Sequence, residues 1–109
     1  MKILHLPLKK EWYEMIESSV KTEEYREIKP YWQQRLLMYG NMWGDNRLII
    51  DTYNKGFLLF EKYDAVKFSY GYTKRTMTFE IESITIGKGN PEWGAPKEDV
   101  FIIKLGKKI

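Results

Sequence analysis

The chain has 109 residues, a formal charge of +3 and no cysteine. Its length makes one domain, 1–109, the default, large enough to bury a core without cross-links. The missing cysteine excludes disulfides, thiolate metal sites and cysteine nucleophiles together.

No apolar run approaches the ~20 residues of a membrane span, and the apolar start Met1–Leu6 is too short for a secretion signal. The expectation is a soluble, cytoplasmic protein that makes no membrane contact. Residues 1–28 hold five Lys/Arg against six Asp/Glu, and residues 29–109 hold thirteen against nine. The positive excess therefore lies late in the chain, in a balance too even to name a partner. Aromatics make up 16% of residues, with four Trp and eight Tyr. They could be stacking platforms or large core side chains.

Ile3–Leu6 reads as a first strand that Pro7 breaks, with Pro7 suited to the first turn of a helix. Leu8, Trp12, Met15 and Ile16 then share one helical face. Ser18-Ser19 weakens that helix, and the highly charged stretch VKTEEYREIK, Val20–Lys29, follows. Two readings compete there. The helix could run on to Ile28, or Val20–Glu27 could be a strand with Thr22, Glu24 and Arg26 on one face. Periodicity leans to the strand.

Lys29-Pro30 opens a second short helix, with Trp32 and Leu36 paired along it. Residues 39–47 read as a loop. Leu48–Phe60 is a hairpin around Asn54-Lys55-Gly56, or a helix ending near Tyr53. The last third is β. Val66, Phe68 and Tyr70 alternate, Gly71–Arg75 turn, and Met77, Phe79 and Ile81 alternate again. Ile84 and Ile86 are out of phase with these, so a bulge near Glu82-Ser83 is expected. Gly87–Pro96 is a rigid loop, and Val100–Leu105 is apolar on both faces, as an interior strand is. The whole reads as α+β with a small curled β-barrel and two or more short helices.

Absences prune the chemistry. His5 is the single histidine, so histidine metal sites and a Ser-His-Asp triad are not expected, and His5 itself reads as structural. Gly87-Lys88-Gly89 lacks the continuation of a phosphate loop. No carboxylate pair has metal-binding spacing, and no cofactor is expected.

What remains is the charged stretch. In a curled sheet one face of the strand must look inward, and a buried unpaired Glu24 or Arg26 would cost several kcal/mol, roughly. Two apart on one face, they can compensate each other, and Lys21 at the helix-to-strand junction can aim at the same spot. Such a pocket suits a base edge, an amide or a phosphate. From the residues alone, a solvated edge strand or helix is the plainer alternative.

Lys21-x-x-Glu24-x-Arg26, placed after a first strand and helix, resembles the Gly-x-Lys-x-x-Glu-x-Arg signature of ASCH domains, relatives of the PUA RNA-binding fold. YDAVKFSYGY, ITIGKGNPEWGAP and VFIIKLG resemble small stand-alone bacterial and phage members, while residues 38–60 match poorly. Ser19 stands at the signature's glycine position. If the glycine serves a positive φ, a different helix exit is expected here.

The resemblance implies a PUA-like barrel whose Lys/Glu/Arg face lines a cleft, and RNA or a nucleotide-derived small molecule as partner. Some relatives resemble amidohydrolases that deacylate acetylated cytidine, but Glu24 stands where that group has its catalytic Thr. Thr22 shares that side only if the strand forms. A ribonuclease activity is also ascribed to an ASCH protein.

The expected function is therefore binding of RNA or a modified nucleoside. Lys21 and Arg26 would contact phosphate or base, and Glu24 would accept from an exocyclic amine, with Thr22 beside them. Trp93 would stack on a base or pin its own loop. Lys74 and Arg75, at a hairpin tip, would contact phosphates or be solvated. Arg35 could face the cleft or solvent, and Lys107-Lys108 read as a solvated tail. The alternative is a hydrolase in which Lys21 acts as base or electrostatic stabiliser and Glu24 as acid/base. A protein-interaction scaffold is a third possibility.

Overall fold

Alternating apolar residues, Leu4, Leu6 and Leu8 in one strand and Val66 and Phe68 in another, build the sheet, and three short helices cover it. The computed structural model describes residues 1–38 and 45–109. The chain runs β1 (Ile3–Leu8), α1 (Lys10–Glu17), β2 (Glu23–Glu27), α2 (Pro30–Leu36), α3 (Asn46–Asn54), β3 (Ala65–Tyr70), β4 (Thr76–Gly87), a 3-10 turn at Pro91–Trp93 and β5 (Val100–Lys108). Among the described residues the strands form one sheet in the order β1-β3-β4-β5-β2. Only β1 and β3 run parallel; the other pairs are antiparallel. The architecture is α+β, and the sheet curls into a half-barrel with β1 and β2 at its edges.

Two register shifts produce much of the curl. Between Phe79 and Ile81 the partner moves from Lys108 to Leu105, and between Ile81 and Ser83 it moves only to Lys104. One extra residue thus sits on β5 and then one on β4, each bending the pair. Gly106 lies at the first shift, where a Cβ would come within 3.3 Å of the Glu80 carbonyl oxygen. The second matches the slip expected near Glu82-Ser83.

β5 is an interior strand covered on both faces. Phe101 and Ile103 pack with Leu4, Leu6, Phe68 and Ile49 in the main core. Val100 and Ile102 pack on the other side with Tyr25 and Ala95, with Trp93 against them. That second cluster fastens the loop after β4 over the sheet.

Several expectations change. β1 continues through Pro7 to Leu8. Pro7 lacks an N–H, but β1 is an edge strand and pairs on one side only, with Pro7 opposite Ser69. Leu8 therefore ends a strand instead of starting a helix. The buried face of α1 is Tyr13 and Ile16, with Tyr13 edge-on to Tyr70 at 5.3 Å.

Of the two readings of 48–60 the helix forms and the hairpin does not: α3 occupies Asn46–Asn54, ending next to Tyr53. Asp45 caps it by accepting from the Arg47 N–H. Gly56, at φ 80°, closes it with bonds from the Gly56 and Phe57 N–H groups to the Tyr53 and Thr52 carbonyls. The loop expected over 39–47 thus stops before Asn46, and residues 39–44 lie outside the described residues. Lys107 and Lys108 belong to β5, not to a tail.

The exit of α1 uses the same left-handed device without glycine. Ser19 has φ 68°, the only positive value at a non-glycine among the described residues. The Ser19 and Val20 N–H groups donate to the Ile16 and Met15 carbonyls, each at 3.0 Å. The exit geometry that a glycine would favour is thus kept by a serine, which carries the Cβ penalty. Ser19→Gly is expected to stabilise the fold by about 0.5–1 kcal/mol in urea denaturation, the relief of strain exceeding the added chain entropy. Ser19→Val is expected to destabilise it.

Candidate functional site

The left-handed turn at Ser19 sets the site. It reverses the chain so that the Lys21 N–H also donates to the Met15 carbonyl, at 3.0 Å. Lys21 is thereby pinned at the mouth between α1 and β2. β2 then alternates. Glu24 and Arg26 stand opposite Ile103 and Phe101, on the main-core side, while Tyr25 stands opposite Ile102, under the loop after β4.

Lys21 and Glu24 are buried, at 2% and 4% exposure. Lys21 Nζ donates to Glu24 Oε1 at 2.8 Å and to the Trp93 carbonyl at 2.6 Å. It also lies 4.6 Å from the Trp12 ring centroid and 5.3 Å from that of Tyr25. Glu24 Oε1 accepts a second bond from the Tyr25 N–H at 3.1 Å, and Glu24 Oε2 lies 3.4 Å from Arg26 Nη1. That guanidinium nitrogen donates to the Tyr25 carbonyl at 2.7 Å, and the guanidinium carbon sits 5.0 Å from the Trp32 ring.

Burying two opposite charges is tolerable only with such partners, because desolvation costs several kcal/mol per ion, roughly. Two aromatic faces and a backbone carbonyl supply part of that compensation for Lys21.

The three side chains line a cavity of about 250 Å³, with Trp12, Trp93 and Lys9 also in its wall. One carboxylate against three cationic groups leaves its lining positive. Lys21 has three N–H donors and uses two in the bonds above. Arg26 keeps the outer edge of its guanidinium, with its side chain 16% exposed. The cavity thus offers directed donors, the Oε2 acceptor of Glu24 and flat apolar walls.

Tyr25 braces the wall from behind. Its hydroxyl donates to Glu23 Oε1 at 2.8 Å and accepts from the Asn90 N–H at 3.0 Å. Burial, with help from Glu23, pushes its phenol well above the usual tyrosine value, against the opposing effect of the Asn90 N–H. Gly89 and Gly94 let the loop close on this frame. A Cβ on Gly89 would meet the Tyr25 ring at 2.7 Å, and one on Gly94, at φ 95°, would meet Trp12 at 2.9 Å. Among the described residues no group of three or more His, Cys, Asp or Glu could hold a metal ion, and no helix is long and apolar enough to cross a membrane.

Lys21, Glu24, Arg26 and Trp93 come together in the cavity. Thr22 does not: it precedes β2, is exposed and is absent from the wall. Lys74 and Arg75 lie in the exposed β3–β4 turn, with Arg75 bridged to Glu17 at 2.9 Å. Arg35 is exposed and lies over Tyr31 at 4.5 Å. His5 is exposed on β1.

Trp12, Trp32 and Lys9 also border the site, and the sequence carries no signal for them there. The tryptophans read as core positions by helical spacing. A Lys just ahead of a helix carries no signal at all.

Lys21→Met takes the ammonium away from the buried Glu24 carboxylate, leaving it the Tyr25 N–H and Arg26, and is expected to cost about 3 kcal/mol in urea denaturation, most of it recovered in the Lys21→Met/Glu24→Gln double variant. A loss below about 1 kcal/mol would place the pair in water instead. The folded-state pKa of Tyr25 is raised, so the unfolded chain releases that proton first. Stability is expected to fall as pH rises above about 10, and the slope to shrink in Tyr25→Phe, measured by denaturation across that range.

Comparison with family models, with curated proteins and with solved structures finds no significant match, so the functional reading rests on the side-chain geometry of this cavity.

Proposed function

We propose that the protein is an RNA- or modified-nucleoside-binding domain of the ASCH type, within the PUA-like group, and that the cavity at Lys21, Glu24 and Arg26 is its binding cleft. One observation carries this reading: a partly exposed guanidinium is held over a buried Lys21–Glu24 pair, inside an aromatic wall. A guanidinium edge reads phosphate or a base acceptor, a fixed carboxylate oxygen reads an amine, and flat rings take a base face. These are the functional groups of a nucleotide, and the positive lining favours its phosphate. The motif spacing and the curled α+β fold support the ASCH affiliation.

The hydrolytic alternative has weaker support. Lys21 already donates to Glu24 and Trp93, which suits an electrostatic anchor better than a proton acceptor. Thr22 stands outside the cavity.

A panel of nucleosides, modified nucleosides and short RNAs is the direct test. A true ligand at a hundred times its dissociation constant is expected to stabilise the fold by about 2.7 kcal/mol. Arg26→Ala is expected to weaken it about tenfold or more. Unchanged affinity in that variant would remove the cleft from the binding site. Acetate release from N4-acetylcytidine, lost in Lys21→Ala, would move the protein to the hydrolases.

A further inference from the structure

The cavity at Lys21 has a neighbour on each side. Toward the β3–β4 turn, a space of about 270 Å³ shares Pro7, Leu8 and Lys9 with it and is completed by Gly71 and Tyr72. Toward α2, a space of about 300 Å³ shares Tyr25, Arg26 and Gly94 with it and contains Trp32 and Lys29. The three spaces are therefore consecutive, and each holds an aromatic ring: Tyr72, then Trp12 with Trp93, then Trp32. Each boundary holds one cation, Lys9 at the first and Arg26 at the second. Tyr72 is 97% exposed, so no packing role accounts for its ring.

Beyond the third space the character reverses. The next cavity shares Glu27 and Lys29 with it and adds Glu98 and Asp99, of which Asp99 is paired with Lys88 at 3.2 Å. Carboxylates outnumber the cation in that lining, so a further phosphate is repelled there.

From this alternation of ring and cation we infer that the binding surface is a three-nucleotide track for single-stranded RNA. The inference rests on the nucleotide-binding reading above and specifies its register. One base lies at Tyr72, one in the cavity walled by Trp12 and Trp93, and one at Trp32. The two intervening phosphates lie on Lys9 and Arg26. Stacking makes each site tolerant of base identity, while the cations set the spacing. Each space alone is at or below the lower bound of ~300–1,000 Å³ typical of small-molecule pockets, so a ligand confined to one of them is small.

Calorimetric titration of the full chain with nucleosides, ribodinucleoside monophosphates, trinucleotides and tetranucleotides of mixed sequence tests the track. Affinity is expected to rise about tenfold at each step up to the trinucleotide and then to level off. The slope of log affinity against log salt is expected to be about −1.4 for the trinucleotide, and about −0.7 when one linkage is a neutral methylphosphonate. Lys9 and Tyr72 are exposed, so Lys9→Gln and Tyr72→Ala leave the fold intact. Both are expected to lower trinucleotide affinity to about the dinucleotide level, and Tyr72→Ala, which lies outside the Lys21 cavity, is expected to leave nucleoside affinity unchanged.

Equal affinity for nucleoside and trinucleotide would overturn the track and leave the single-cavity reading standing. Continued gains in the tetranucleotide would overturn the three-nucleotide register. Failure of every nucleoside and oligonucleotide to bind would overturn both the track and the reading beneath it.

Discussion

The buried Lys21 ammonium is the interaction on which the rest depends. It joins three parts of the chain that are distant in sequence: the Trp12 ring on α1, the Glu24 carboxylate on β2 and the Trp93 carbonyl in the loop after β4. An apolar residue there could fill the space but could not hold a backbone carbonyl and a carboxylate in fixed directions. The charge is costly to bury, so the surrounding donors and acceptors must be placed well, and that requirement makes the site rigid. Arg26 inherits the rigidity. Its guanidinium is fixed by Glu24 and the Tyr25 carbonyl before any ligand arrives, which lowers the ordering cost of binding.

Two backbone features deliver these groups. The positive φ at Ser19 stops α1 one turn after Met15 and returns the chain over the helix end, so that Lys21 points inward. The pairing of β2 with β5 then decides which side of the strand Glu24 and Arg26 occupy, because a slip of one residue would turn both away from the core. β5, apolar on both faces, holds that register from its two sides. The loop after β4 packs on its outer face through Ala95 and Trp93, which brings the Trp93 carbonyl within reach of Lys21. Strain at one serine, register in one strand pair and packing of one loop thus converge on the same few atoms.

The position of the site follows from the open sheet. β1 and β2 remain apart as edges, and α1 connects them in sequence. The Lys21 cavity takes its walls from both edges, Pro7 and Leu8 from β1 and Glu24 to Arg26 from β2. A fully closed barrel would spend those edges on each other. Leaving them apart exposes a concave seam where polar groups can be presented from an apolar scaffold.

Much of the fold was legible in the residues. The alternation at Val66–Tyr70, the phase slip near Glu82 and the two-sided apolar run at Val100 each reflect a local period that the sheet enforces, and each appears as expected. The strand expected over Val20–Glu27 forms, but only from Glu23 to Glu27, because Val20 and Lys21 serve the helix exit. The break signal of Pro7 does not hold because its tolerance in a strand depends on β1 being an edge, which is a property of the sheet. The 48–60 segment was ambiguous because its turn residues, Asn54-Lys55-Gly56, end a helix as readily as they join two strands.

The spacing of Lys21, Glu24 and Arg26 marked them as a group in the sequence itself, since alternation puts the last two on one side. The burial of Lys21 and Glu24, the Trp93 carbonyl on Lys21 and the rings of Trp12 and Trp32 were decided by tertiary structure alone. Local periodicity fixes which way a side chain faces along its own element. What it meets there depends on chain segments far away in sequence, and only the folded sheet brings those together.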